Sequence, residues 1–371
     1  MRKQHGFTLI ECLVAMAVTM VVLAGAVLLF RDSTNANGKV SQTSDMSDNM
    51  RAGLNMIVQD LKLTGTGIPT GGIAIPNTVD ANGCNVSLPV NRPPALLKLS
   101  FQGPNALQVG CNVVLPAIEP GPALGPSIVS PDGTTAPNSD IISILYADNT
   151  LALDQKPING AKCPAGLIAA DGTSVTFDAG CVLLGNAGIP VSAGDLVMFN
   201  NANGNCLQTV SSVSGQTLKF DAGDAFNLNG RTASETAGTI LQLQNKDAGG
   251  VPDGTYPSTS ATRIWMVTYY LDGSVDPTNP RLMREVNFNT PQIVGESIET
   301  LQFAFNLVDG SNPSPVNQSN VPGKDTESEI RAVNIYLGSR SAEAGRGGKY
   351  LRSNAKTQVA LRSMAYFNNY Q

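Results

Sequence analysis

Histidine occurs once in the 371 residues, at His5, in a short basic start ahead of a long apolar run. The body of the chain therefore cannot build a Ser-His-Asp or Cys-His arrangement, nor a histidine metal site. Charge is also scarce. Asp, Glu, Lys and Arg make up 14%, the net charge is −5, and no basic cluster offers a nucleic acid a surface. No Cys-x-x-Cys pair suggests zinc. No Gly-rich loop has phosphate-binding spacing, because Gly65-x-Gly67 ends a helical pattern instead of opening one. No period repeats along the chain, which excludes a solenoid. Nothing places two carboxylates together for hydrolysis. The expectation is a non-enzymatic protein without a cofactor.

What the sequence does hold is glycine (37) and proline (23), a composition of turns and short strands, in a chain long enough for a large core. Cys12 lies inside the apolar run. Cys84, Cys111, Cys163, Cys181 and Cys206 follow it in Gly/Asn/Thr-rich sequence. Without zinc spacing, they read as disulfide candidates in an oxidising compartment. Proximity pairs Cys84 with Cys111 and Cys163 with Cys181. Cys206 is then left over, with two readings: a spare thiol that bonds a partner subunit, or one that is buried or joined to Cys163 or Cys181.

Residues 6–30 read GFTLIECLVAMAVTMVVLAGAVLLF. As a helix, residues 7–30 span roughly 36 Å, enough to cross a bilayer. The run is longer than a secretory h-region, and no small-x-small cleavage site follows it. A plain anchor leaves Glu11 unexplained, since a carboxylate in lipid costs about 2.5–3.5 kcal/mol unless paired. The hexapeptide Gly6-Phe7-Thr8-Leu9-Ile10-Glu11 resembles the class III signal of type IV pilins and of type II secretion pseudopilins. The resemblance implies that a prepilin peptidase cuts after Gly6 and methylates Phe7. It also implies that Glu11 pairs with a neighbouring subunit's N-terminal amine during filament assembly. Such a pair would neutralise both charges in a low-dielectric setting. Cys12 departs from the Leu common at its position in that family.

Beyond Phe30, Val40, Thr43, Met46, Met50, Leu54, Ile57 and Leu61 recur every three or four residues. This spacing predicts an amphipathic extension of the helix, with weak points near Asn35 and Gly38 and a stop at Gly65 and Gly67. Residues 69–137 read as loop with short strands such as ALLKLSF. Strands are expected at 139–147, at three places within 194–221, and at 239–245. A C-terminal antiparallel sheet is expected from 263–271, 281–288, 296–308, 330–338 and 357–363. In the fourth of these, Val333, Ile335 and Leu337 form one face. The fold class is α+β, with a long N-terminal helix packed on a C-terminal antiparallel sheet and a large β-rich insertion. The expected divisions are a leader (1–6), a membrane or filament-core helix (7–30), an amphipathic helix (31–65), the insertion (66–260) and the C-terminal sheet (261–371).

The order of the blocks VQDLKLTGTG, SDIISILYA, GDLVMFNN, YYLD, PRLMREV, VGESIETLQFAF and IRAVNIYLGSRS resembles W-type minor pilins of type IV pili. A J-type minor pseudopilin of type II secretion shares part of this order but is usually shorter. The resemblance implies a pilin-like fold and a structural role in the pilus tip or initiation complex. Its partners would be the prepilin peptidase, other minor pilins, the major pilin and a Y-type tip adhesin. The location would be the inner membrane, single-pass with a periplasmic body, and then the pilus surface. Two other readings stand beside it: the pseudopilin, and a membrane-anchored surface adhesin. Asp272, Ser274 and Asp276 have the spacing that begins some Ca²⁺ loops. They lack the Gly and distal Glu of an EF-hand, so a hairpin loop between two strands is the competing reading.

Overall fold

The computed structural model describes residues 8–79, 85–87, 90–101, 114–152, 167–177, 184, 190–231, 238–311, 313–321, 327–345 and 347–365. A single helix, α1 (Leu9–Leu63), runs through the expected weak points without a break. It ends where the glycines require it. Thr64 N–H donates to the Leu61 carbonyl, and Gly65 and Gly67 take left-handed backbone (φ 81° and 69°) that favours glycine.

The largest sheet has seven antiparallel strands: β1 (Ile118–Gly121), β2 (Ile141–Ala152), β3 (Leu196–Asn201), β4 (Gly204–Thr209), β5 (Ser260–Asp272), β6 (Arg281–Val286) and β7 (Gln292–Glu296). β5 is the axis. One of its edges pairs with β2, as in Tyr146 opposite Trp265. The other edge is shared, by β3 near Ile264 and by β6 from Val267 onward. Asn287 closes the split between them. Its N–H donates to the Met266 carbonyl at 2.7 Å and its Oδ1 accepts from Met266 N–H at 3.1 Å.

A second sheet holds β8 (Ile298–Leu307), β9 (Ile330–Arg340) and β10 (Arg352–Ala360). The strands expected to make one C-terminal sheet are thus divided between two. The break is at Ser297, in left-handed backbone (φ 55°), whose N–H and hydroxyl both donate to Asn279 Oδ1 at 3.0 Å. On β9, Val333, Ile335 and Leu337 are buried as expected, while Ala332, Asn334 and Tyr336 are half-buried.

The docked end of α1 packs against β7, β9 and β10. Met50, Ile57 and Leu61 join residues of both sheets in the main core. A second core lies on the other side of β3 and β4. There a four-stranded sheet of short segments between Leu167 and Lys219 covers Val197, Phe199 and Cys206. The 194–221 stretch forms four strands where three were expected. Residues 240–243 form a 3₁₀ turn where a strand was expected. Ile240 and Leu243, three apart, both point inward in that turn. Five Asp-Gly-Ser/Thr tripeptides punctuate the surface, each Asp Oδ1 accepting the N–H two residues on.

Candidate functional site

At the start of α1, Thr8 is extended (φ −80°, ψ 150°) and caps the helix. Its N–H and its hydroxyl both donate to Glu11 Oε2 at 2.9 Å, and Glu11 N–H donates back to Thr8 Oγ1 at 3.4 Å. This reciprocal box satisfies helix-end donors that lipid would leave bare. It also gives the Glu11 carboxylate polar partners inside its own chain, which lowers the cost of placing it at the end of an apolar span. Glu11 Oε1 takes no part in these bonds.

From Leu9 to Phe30 the helix is apolar on every side, and none of its residues is buried. Leu9, Val21, Leu29 and Phe30 are each more than 70% exposed. The one hydroxyl in this span, that of Thr19, is satisfied by the Ala15 carbonyl at 2.7 Å. Such a surface asks for lipid or for other apolar helices.

Residues 1–27 match the prokaryotic N-terminal methylation motif. The chain carries a type IV pilin-like prepilin signal. No curated protein and no solved structure matches it. The signal marks a prepilin-peptidase substrate of the pilin and pseudopilin class, and the apolar helix behind it serves as a membrane anchor. Gly6 and Phe7 lie outside the described residues. Glu11 lies in the first turn of the helix that begins within the signal.

The prepilin helix is fixed to its head by a residue that sequence reading passed over. Asp60 is buried at 5% exposure, and its Oδ2 accepts from Tyr269 hydroxyl at 2.5 Å and from Arg284 Nε at 2.7 Å. Arg284 Nη2 adds a bond to Oδ1 at 3.2 Å. This two-pronged pair holds the last turn of α1 on the large sheet. A signal was present. Asp60 stands three residues after Ile57 and next to Leu61, on the buried stripe, where a carboxylate needs a cationic partner.

Cys84, Cys111, Cys163 and Cys181 lie outside the described residues. Cys206 is unpaired and fully buried on β4, and burial pushes its thiol well above the ordinary range. Cys12 is exposed on the apolar span. The segment with Asp272, Ser274 and Asp276 is the β5–β6 hairpin loop. Asp272 Oδ1 accepts from Ser274 N–H and hydroxyl, and Asp276 Oδ1 accepts from Thr278 N–H and hydroxyl. Each carboxylate closes its own turn. Among the described residues no group of three or more His, Cys, Asp or Glu side chains could hold a metal ion. The loop is tied down by Arg340, fully buried, which donates to the Thr278 carbonyl and pairs with Glu299 at 2.8 Å. Arg352 bridges the same Glu299 to Asp132.

Proposed function

We infer that the chain is a minor pilin, a structural and non-enzymatic subunit assembled at the tip or initiation complex of a type IV pilus. The observation that carries this reading is the helix itself. Starting within the prepilin signal itself, 22 residues of exposed, largely apolar helix run unbroken toward a docked end. The apolar part first holds the subunit in the inner membrane, with the head on the periplasmic side. It then exchanges lipid for the helices of neighbouring pilins. Glu11, with Oε1 outside its capping bonds, meets the methylated amine of the adjacent subunit. A head built from a seven-stranded and a three-stranded sheet, with a further four-stranded sheet on its flank, is bulky for stacking along a thin fibre and suits its end. The partners are the prepilin peptidase, the other minor pilins and the major pilin.

Intact-mass analysis of membrane extracts tests the first step. The native chain should lose residues 1–6 and gain one methyl group, and Gly6→Asp should keep its full precursor mass. A Gly6→Asp variant processed like the native chain would overturn the assignment. Glu11→Ala should be cleaved normally yet be missing from sheared filaments. Its incorporation at native levels would remove Glu11 from assembly.

A further inference from the structure

Beside the docked end of α1 the large sheet carries an open pocket of about 380 Å³. Its floor is Tyr146, Trp265, Arg284 and Val286, and its rim is Asn289, Thr290 and Gln292. Tyr146 and Trp265 are cross-strand neighbours, so their side chains share one face of the sheet. Further along β5, beyond Val267, that face carries Tyr269, which holds Asp60 of the helix. The pocket is therefore the uncovered continuation of the surface on which α1 lands.

The chemistry of the pocket is specific. Trp265 is fixed before any ligand arrives. Its Nε1–H donates to Asp148 Oδ2 at 3.1 Å, and the Arg263 guanidinium lies 4.3 Å from its ring centroid. Both cations near the pocket are already neutralised, Arg284 by Asp60 and Arg263 by Asp148 at 2.8 Å. That leaves no net positive charge to draw an anion. Asn289, Thr290 and Gln292 are exposed, and between them bring amide and hydroxyl groups, donors and acceptors together. An aromatic floor under a rim of neutral hydrogen-bonding groups complements a pyranose, which offers a face of C–H groups and an edge of hydroxyls. The volume lies near the lower end of the roughly 300–1,000 Å³ typical of small-ligand sites, room for a mono- or disaccharide.

The geometry points to a binding site for a neutral saccharide, stacked on Trp265 and Tyr146 and held at its hydroxyls by Asn289, Thr290 and Gln292. It is independent of the assembly function of the helix, and it gives the head a ligand of its own.

Trp265 is the only tryptophan of the chain, so intrinsic tryptophan emission reports on this site alone. The full chain is reconstituted in phosphatidylcholine vesicles, free of glycoside detergent and of any second protein that would bring tryptophans of its own. It is titrated with lactose, cellobiose and diacetylchitobiose, with N-acetylneuraminic acid as an anionic probe and tetraproline as a peptide probe. A saturable change with at least one neutral disaccharide is expected. Asn289→Ala and Gln292→Ala should each weaken it roughly tenfold without moving the thermal midpoint. Saturation by N-acetylneuraminic acid alone or by tetraproline alone would overturn the neutral-saccharide assignment. So would the absence of saturation with all three disaccharides up to about 50 mM, in emission and in saturation-transfer NMR. Saturable binding that survives undiminished in both variants would remove the ligand from this pocket.

Discussion

Between Leu9 and Phe30, α1 turns apolar side chains outward on all sides, whereas between Met46 and Leu61 the same helix buries a narrow stripe and leaves the rest wet. The two parts share backbone geometry and differ in side chains, apolar all round in one and striped in the other, and in what surrounds them. Residues 31–45 separate them and are almost wholly exposed, with the apolar Val40 at 69%. The predicted stripe therefore begins to dock at Met46 and not at Val40 or Thr43. The lesson is that periodicity marks a helix, but the sheet's position decides how much of the stripe is used. Full burial of Ile57 or Leu61 stabilises the head by roughly 1.5–3 kcal/mol each. In water the exposed span contributes nothing comparable, and its apolar surface gains only in lipid or against other helices. Residues 9–45 form an arm of about 55 Å that can change its surroundings while the head stays folded.

The sharpest way to break this division is at the docked end. Asp60→Ala should leave Arg284 without its anion and Tyr269 without its acceptor, at a cost of about 3–5 kcal/mol. The urea midpoint of the head should fall accordingly, with precursor cleavage unaffected. An unchanged midpoint would mean that the helix is held by apolar contacts alone. Ile57→Ala should come next, at about 2–5 kcal/mol for a fully buried side chain. Leu23→Ala, on the exposed span, should leave the head's midpoint where it was. Equal effects from Ile57 and Leu23 would erase the distinction between the two parts.

A smaller effect follows from a buried carboxyl. Glu285 on β6 is 4% exposed, accepts from the Tyr270 hydroxyl at 3.2 Å, and is pushed by burial to about 7. Its ordinary value is 4.5. The folded head thus keeps a proton that the unfolded chain has released. This contribution is complete below about 4.5 and is lost as the pH rises through about 7, by at most about 1.4 kcal/mol per pH unit. Glu119, pushed to about 8 by burial, acts in the same direction. The arm has no buried acid, since Glu11, Asp32 and Asp45 are all exposed. Head unfolding at pH 5 and pH 8 should therefore show lower stability at pH 8, with a smaller difference in Glu285→Gln. A variant with the native pH slope would exclude Glu285 as a source.

The start of the chain was legible because its signal is local. Gly6 to Glu11 lie within one stretch of sequence, the apolar run needs only counting, and Gly65 and Gly67 stop the helix by backbone preference alone. The strands at 141–152, 260–272 and 330–340 were legible for the same reason, as runs of β-branched and aromatic residues. What the sequence hid is non-local. Whether β6 joins β5 or the later strands depends on the backbone turn at Ser297, which no alternation of apolar residues announces. Residues 239–245 looked like a strand because Ile240, Leu241 and Leu243 are apolar, and burial of Ile240 with Leu243 settles the matter at a spacing of three. Asp60 was hidden because its partners are more than 200 residues away. The Tyr146–Trp265 pair was hidden likewise, since only the register of β2 on β5 brings those rings together.

The finest comparison between the two parts of α1 uses one glycine from each. A Cβ at Gly53 would stand 2.7 Å from Leu282 Cδ2 and 3.8 Å from Leu337, touching both sheets at once. A Cβ at Gly38 would meet nothing within 4 Å. Alanine favours a helix over glycine by up to about 1 kcal/mol at either place. At Gly38 that gain is uncompensated, so Gly38→Ala should slow amide exchange across residues 35–42 and leave the head's midpoint unmoved. At Gly53 the methyl must displace Leu282, itself fully buried, at a cost of about 1–3 kcal/mol that outweighs the helix gain. Gly53→Ala should therefore lower the head's stability by about 1 kcal/mol and bring its midpoint down, where the identical substitution at Gly38 leaves the midpoint alone. If Gly53→Ala raised the midpoint instead, Leu282 would have room to move, and the close approach of α1 to β6 would not be what holds the helix in place.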